Sequence, residues 1–259
     1  MVVIIMNNYI RLLSKLKIKK NFNNAAKTYD QHCQVQNKIC ANSLQLLTKY
    51  YKKFSTVADF ACGSGESTKQ IINTINYKTC YAIDFAENLL ATAKNKLPST
   101  INFIPADFDT KIFNDNYLDL IFCNMGLQWA ENLAHNLNLF YKYLKQDGVI
   151  LFSLPLHNNF PEIKNNYTLK TLKHENILKA LDKTNFKIIE YLQITHTESF
   201  NNHFAILKSL KYVGATYYNN NDKLQQISLT RKHLQEIFVD SNTQQLTYNI
   251  CIYLAKALK

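Results

Sequence analysis

Glycine is scarce in this chain. Only five occur in 259 residues, yet Gly63 and Gly65 stand one position apart. Such a pair marks a backbone that bends sharply or approaches a ligand closely. Glycine and proline are both missing from residues 9–50, which removes the usual breakers and leaves that stretch to helix. Arginine is almost absent, with Arg11 and Arg231 the only two, so the net charge of +11 is carried by lysine. The charge permits an acidic partner such as nucleic acid, a membrane surface or an acidic protein. A composition rich in lysine and asparagine accounts for it equally well. No pattern of basic and aromatic residues marks a nucleic-acid face. The six cysteines, at 33, 40, 62, 80, 123 and 251, form no C-x-x-C pair, which favours buried reduced thiols over disulfides or zinc and a reducing, cytoplasmic setting. The apolar start, Met1 to Met6, is far too short to span a membrane. Lys15, Lys17, Lys19 and Lys20 follow it rather than precede it, so no secretory signal is expected.

What is present is alternation. After the helical stretch 9–50, strands are expected at 55–61, Thr79–Phe85, Ile101–Ile104, Leu118–Asn124 and Val149–Leu154. Helices fall between them at Glu66–Ile75, at Ala86–Lys96 and from the fourth strand to Leu144. Gln146-Asp147-Gly148 reads as a turn. This spacing implies a parallel α/β sheet covered on both faces. The continuous apolar runs Leu118–Phe122 and Val149–Phe152 suit fully buried strands. Beyond Pro161 the pattern gives a helix near 175–183, a strand over Phe186–Thr195 and a closing strand over Leu246–Leu254. Two amphipathic helices, near 200–215 and 229–239, stand between those last strands as an insertion. In the first, Phe200, Phe204, Leu207 and Leu210 are expected to share a face.

The glycine pair sits in Asp59-Phe60-Ala61-Cys62-Gly63-Ser64-Gly65, between the first strand and a helix. Such a turn presents backbone N–H groups to a polar ligand. The phosphate-loop pattern G-x-x-x-x-G-K-[ST] is absent, and the third glycine of G-x-G-x-x-G is replaced by Thr68. Two further acids end strands. Asp84, followed by Phe85, is placed to accept both hydroxyls of a ribose. Asp107, followed by Phe108, is placed to accept the amino group of an adenine with the ring beside it. Each acid alone could be a helix cap; the three in order, at strand ends, favour a nucleoside site over three caps.

From Val57 to Leu154 this combination resembles the class I S-adenosylmethionine-dependent methyltransferases. Asp59 to Gly65 is similar to that family's D-x-G-x-G-x-G motif, with Ala61 in place of the first glycine and less room for the cofactor's amino-acid end. Asn124-Met125-Gly126 falls where the family passes backbone beside the methionine moiety. The resemblance implies a Rossmann-like, seven-stranded, mostly parallel sheet with helices on both faces. It assigns S-adenosylmethionine to Asp59, Ala61, Gly63, Gly65, Asp84, Phe85, Asp107, Phe108, Asn124 and Met125, without a metal. Residues 1–50 then form an N-terminal helical cap. Residues 51–259 form the methyltransferase domain, with a helical lid inserted at about 198–240, before the last strand.

Four outer segments carry a narrower resemblance. Ala25 to His32, Leu127-Gln128-Trp129, Ser209 to Thr216 and Leu246-Thr247-Tyr248 resemble the malonyl-acyl-carrier-protein O-methyltransferases of biotin synthesis. That family esterifies the free carboxylate of a malonyl group. A carboxylate is already a nucleophile, so alignment and exclusion of water suffice. No Cys/His or Ser/His/Asp pattern demands covalent catalysis. Tyr29 and Trp129 are the candidate catalytic donors. His32, Lys211 and Arg231 are candidate substrate contacts, and Arg11, Arg231 and Lys232 could help dock an acidic carrier protein. The expected partner is acyl carrier protein rather than nucleic acid or membrane, and the chain is expected to act as a monomer. Two other readings stay open at this point: a class I methyltransferase acting on a small molecule or RNA, and a non-catalytic module suggested by Ala61.

Overall fold

The structure is a computed structural model that describes residues 2–164, 167–169, 171–215, 236–240 and 243–259. Its strands are β1 (Thr56–Phe60), β2 (Thr79–Asp84), β3 (Asn102–Pro105), β4 (Leu118–Asn124), β5 (Leu144–Pro155), β6 (Phe186–Ser199) and β7 (Gln245–Ala257). They form one sheet in the order β3-β2-β1-β4-β5-β7-β6. The first five pair in parallel, and β7 inserts between β5 and β6 antiparallel to both. Chain order reverses between β1 and β4, and the crevice at the carboxyl ends of two such strands is where an open α/β sheet binds ligands.

The helices are α1 (Val2–Ala25), α2 (Tyr29–His32), α3 (Gln34–Thr48), α4 (Glu66–Thr74), α5 (Glu87–Lys96), α6 (Leu133–Tyr143), α7 (His174–Lys183) and α8 (His203–Tyr212), with a 3-10 turn at Leu127–Trp129. Alternate residues of the central strands point to opposite faces. Val57, Leu120 and Leu151 pack with Ile39, Leu47 and Ile71 on one face. Ala58, Phe60, Ile121 and Phe152 pack with Phe140 and Tyr143 on the other. No described helix is long and apolar enough to cross a membrane. All six cysteines are buried and free.

Two expectations need correction, and a third, the helical stretch 9–50 with its less apolar middle at 23–32, is resolved. The turn at 146–148 does not precede β5 but lies within it. Leu144 still pairs with Leu118 while Val149 pairs with Leu120, so the extra residues form a bulge, with Asp147 left-handed at φ +63°. The helix near 200–215 is shorter, because Asn202 caps it by accepting from Ala205 N at 2.9 Å. Its inward face is also rotated: Phe204 is 47% exposed, while Ile206 is buried and Leu207 and Leu210 turn inward. The stretch 9–50 is divided into three helices by turns at 26–28 and Cys33. Of the helix expected at 229–239, residues 229–235 lie outside the described residues, and Phe238 bridges Ile163.

Phe60 anchors the second face, fully buried with its ring 4.6 Å from Phe140. Phe60→Ala is expected to cost about 3–5 kcal/mol in urea unfolding. A loss below about 1 kcal/mol would show that this cluster does not hold the end of β1.

Candidate active site

Where β1 ends, the backbone turns left-handed three times, at Ala61 (φ +56°), Gly63 (φ +56°) and Gly65 (φ +86°). A Cβ on Gly65 would meet Ala93 and Leu97 at 2.8 Å, so glycine there brings the turn close onto α5. Ala61 adopts the same sign of φ with a side chain, at a cost of about 1 kcal/mol or more. Its methyl is accommodated across the crevice by Gly126, where any Cβ would lie 2.6 Å from that of Ala61. The residue that departs from the glycine motif is therefore matched by a glycine on the neighbouring strand's loop.

Two buried acids frame the turn. Asp84 accepts from Gly63 N at 2.8 Å through Oδ2 and from Ala86 N at 2.7 Å through Oδ1. Burial pushes its carboxyl up to about 6, against the pull of the N–H groups of Ala86, Gly63 and Phe85. Asp59 accepts from Ser67 Oγ at 2.7 Å and Thr68 Oγ1 at 2.6 Å, both through Oδ2. Its Oδ1 is buried with no partner among the described residues. Burial pushes this carboxyl up to about 7, with the two hydroxyls pulling down and the charge of Asp84 adding to the rise.

Phe85, Asp107 and Phe108 lie together at the next strand ends, joined by a residue that sequence reasoning missed. Lys15 reaches in from α1 with its ammonium 3.1 Å from Asp107 Oδ1 and paired with Asp109. It lies 4.8 Å from the centroid of Phe108 and 5.7 Å from that of Phe85. Asp109 in turn accepts from Asn136 Nδ2 at 2.5 Å and from Glu131 N at 3.3 Å. Lys15 is one lysine among four in that stretch, and nothing in its spacing singles it out.

Beside the turn a cavity opens, walled by Tyr29, Met125, Gln128, Trp129, Leu207 and Leu210, with Phe160 and Tyr248 also lining it. Tyr29 belongs to both halves: its ring lies 3.8 Å from the position of a Cβ on Gly63, and it lines the cavity. Loss of solvent, then the nearby Cys33, Asp84 and Asp30, push its phenol far up, so it keeps its proton. Trp129 meets Phe22 of α1 edge-on at 5.4 Å. Met125 is left-handed at φ +52°, with its N–H 3.0 Å from both the carbonyl and the hydroxyl of Ser153. Asn124 donates to Gln36 O at 2.9 Å and accepts from Ser153 Oγ at 2.9 Å. Its side chain is thus committed to holding α3 against the strand ends, which leaves backbone facing the crevice.

The remaining candidates sit further out. His32 stacks on Tyr212 of α8 at 4.4 Å and does not line the cavity. Lys211 is exposed on the outer side of α8. Lys208 lies over the Tyr212 ring at 5.2 Å. Gly214 packs on Phe22 of α1, where a Cβ would meet it at 2.8 Å, so that helix end rests on the N-terminal cap rather than on the sheet. Arg231, Lys232, Thr216 and the side chain of Arg11 lie outside the described residues.

Residues 58–152 match the methyltransferase domain family. A malonyl-acyl-carrier-protein O-methyltransferase 2 of Coxiella burnetii is 36% identical over 248 residues, covering 94% of this chain and 97% of that one. The chain belongs to the malonyl-acyl-carrier-protein O-methyltransferase family. A second member, from Bacillus cytotoxicus, is 30% identical, with 86% of this chain and 84% of that one covered. The fold has solved counterparts. One, described as a methyltransferase of Bacillus halodurans, superposes with a TM-score of 0.62 at 16% identity over 85% of this chain and 99% of that one. Phosphoethanolamine N-methyltransferase 2 of Haemonchus contortus, solved with S-adenosylmethionine, gives a TM-score of 0.52 at 15% identity over 85% of this chain and 53% of that one.

The match of Ala61 to Gly126 sets an expected outcome. Gly126→Ala drives a methyl into those of Ala61 and the Cys123 thiol and should cost about 1–3 kcal/mol. Adding Ala61→Gly should return part of that loss, and strictly additive melting shifts would show that the two residues do not meet. The two raised carboxyls set another. The folded chain holds their protons more tightly than the unfolded chain, whose ordinary value is 3.8. Their contribution to stability is therefore full below that value and is lost as pH rises through about 6 and about 7. Urea titrations of the ligand-free protein from about pH 5 to about pH 8 should show this fall, and Asp59→Asn should flatten its upper part.

Proposed function

We propose that the chain transfers a methyl group from S-adenosylmethionine to the free carboxylate of a malonyl group held on acyl carrier protein, giving the malonyl methyl ester that starts biotin (pimeloyl) synthesis. The observation that carries this reading is the position of Tyr29, against Gly63 of the glycine turn on one side and in the apolar cavity on the other. A methyl donor on the turn and an acceptor in the cavity would meet beneath one phenol.

The residues of the turn fit the cofactor. Asp59 Oδ1 is a buried acceptor without a donor among the described residues, and an α-ammonium group supplies one. Each oxygen of Asp84 takes one backbone N–H and keeps a lone pair for a ribose hydroxyl. Asp107, which shares Lys15 with the rings of Phe85 and Phe108, is held by that ammonium and the N–H of Asp109 and presents its second oxygen to the amino edge of a base. Gly63 and Gly65 let the backbone approach, Ala61 is accommodated by Gly126, and Asn124 and Met125 offer backbone at the methionine end. When bound, S-adenosylmethionine supplies a methyl group already activated by its sulfonium.

The chain's own work is then positioning. A malonyl carboxylate is ionised at neutral pH, so no proton has to be removed from it. Tyr29 stays protonated and donates to that carboxylate. Trp129 closes the wall beside it, and Leu207 and Leu210 exclude water from above. Esterification removes the acceptor's negative charge. Within the segment 198–240, the described helix α8 acts as a lid over this cavity, with residues 1–50 as the opposing cap. Lys211 and His32 stand at its outer edge, where an acidic carrier protein docks on a monomeric, cytoplasmic enzyme, with Arg231 a further contact named from the sequence alone.

Incubation with labelled S-adenosylmethionine and, in parallel, malonyl-carrier protein, malonyl-coenzyme A or RNA tests the reading. A base-labile methyl ester on a malonyl thioester is expected; label on RNA alone, or on neither thioester, overturns it. In the same assay Tyr29→Phe should lower turnover by about 10-fold to about 100-fold, the worth of one hydrogen bond to a charged group. Its affinity for S-adenosylmethionine, by calorimetry, should stay within about threefold of the parent protein.

A further inference from the structure

The 3-10 turn that carries Trp129 also carries a polar group whose chemistry is not yet spoken for. Gln128 lines the cavity beside Tyr29 and Trp129. Its Nε2 donates to Met125 O at 2.6 Å. A carbonyl can only accept, so this bond fixes which end of the amide is which. The other end, Oε1, is buried and accepts nothing among the described residues. A buried acceptor left without a donor is rare, and it disfavours the state in which it stays unpaired.

The reacting carboxylate does not satisfy it, since an ionised carboxylate has no proton to give and is repelled by a carbonyl dipole. The partner must come from another part of the acceptor. Carrier-bound and coenzyme-bound acyl groups hang on the same kind of thiol, a cysteamine whose nitrogen is an amide. That N–H is the first donor met on leaving the thioester, two methylenes beyond sulfur. We infer that Gln128 Oε1 accepts from this amide N–H, which makes Gln128 a specificity-determining residue for malonyl groups on an amide-bearing arm. The inference rests on the malonyl-thioester reading and deepens it.

The geometry explains why the turn is built as it is. The bond to Met125 O ties the Gln128 amide to the same residue whose left-handed backbone closes the methionine end of the crevice. Recognition of the arm is thus fixed relative to the place of methyl transfer rather than to the mobile acceptor.

Two small probes test this, malonyl-N-acetylcysteamine, which has the amide, and a malonyl S-butyl thioester, which does not. The parent protein should show a KM for the amide probe lower by about tenfold, one neutral hydrogen bond's worth of discrimination. Gln128→Leu should bring the two KM values together and so abolish the preference for the amide probe, while losing the bond to Met125 O acts on both probes alike. Gln128→Met, close in shape, serves as the second variant if the leucine variant does not fold. Equal loss on both probes, or a parent protein that does not tell them apart, overturns the inference while leaving the methyltransferase reading standing. If the parent protein methylates no malonyl thioester at all, carrier-bound ones included, the underlying reading fails and this one with it.

Discussion

Gly63 and Ala86 donate their backbone N–H groups to opposite oxygens of Asp84, at 2.8 and 2.7 Å. One buried carboxylate therefore joins the turn after β1 to the start of α5 after β2. The turn cannot shift without leaving a charged group unpaired in a dry place, which is far costlier than losing a surface hydrogen bond. Everything at the site is referred to this tie. Gly63 fixes the height at which Tyr29 rests, Gly65 fixes the distance to α5, and Ala61 sets what can stand at position 126. Desolvation raises both Asp59 and Asp84, so the ligand-free crevice holds two acids at some expense of stability. That is the pattern expected where a protein keeps charge ready for a cationic ligand.

The acceptor cavity is assembled differently. The cofactor crevice is made of the ends of the parallel strands β1 to β4, whereas the cavity wall draws also on α1, α2, α8 and the segment after β5. These meet through aromatic and backbone contacts rather than through a sheet. Thr28 Oγ1 donates to Tyr212 O at 3.0 Å, His32 stacks on Tyr212, and Gly214 packs on Phe22. The helices before the sheet and the helix inserted before its last strand therefore contact one another directly.

Much of this was legible in the sequence because it rests on local chemistry. The glycine spacing, the acids at strand ends and the buried apolar runs of β4 and β5 are patterns that the backbone itself requires. The parallel core of the sheet and its two flanking layers follow from them. What could not be read depends on long-range side-chain encounters. Lys15 meets Asp109 across 94 residues, and no periodicity announces such a pair. The inward face of α8 was misjudged because Phe204 is as apolar as Leu207 and Leu210. Only the packing of Ile206 decides which stripe is buried. The bulge in β5 was hidden for another reason: Gln146-Asp147-Gly148 is turn chemistry, and a strand absorbs it only because Leu144 already has a partner in β4. Gln128 lay in plain view beside Trp129, and its role shows only from the bond that orients its amide.

The cap helix α1 is attached by unlike fastenings. Lys15 is 12% exposed in its side chain and sits among two carboxylates and two aromatic rings. One turn on, Lys19 pairs with Glu87 at 2.8 Å, with side chains 33% and 66% exposed. Dissolved salt screens the second contact over a Debye length of about 10 Å at about 0.1 M and reaches the first far less. Ionic strength then acts on the cap unevenly. Added salt therefore weakens the Lys19–Glu87 contact first, while Lys15, with Asn23 bound to Asn88 N at 2.9 Å and Phe22 against Trp129, keeps α1 on the crevice.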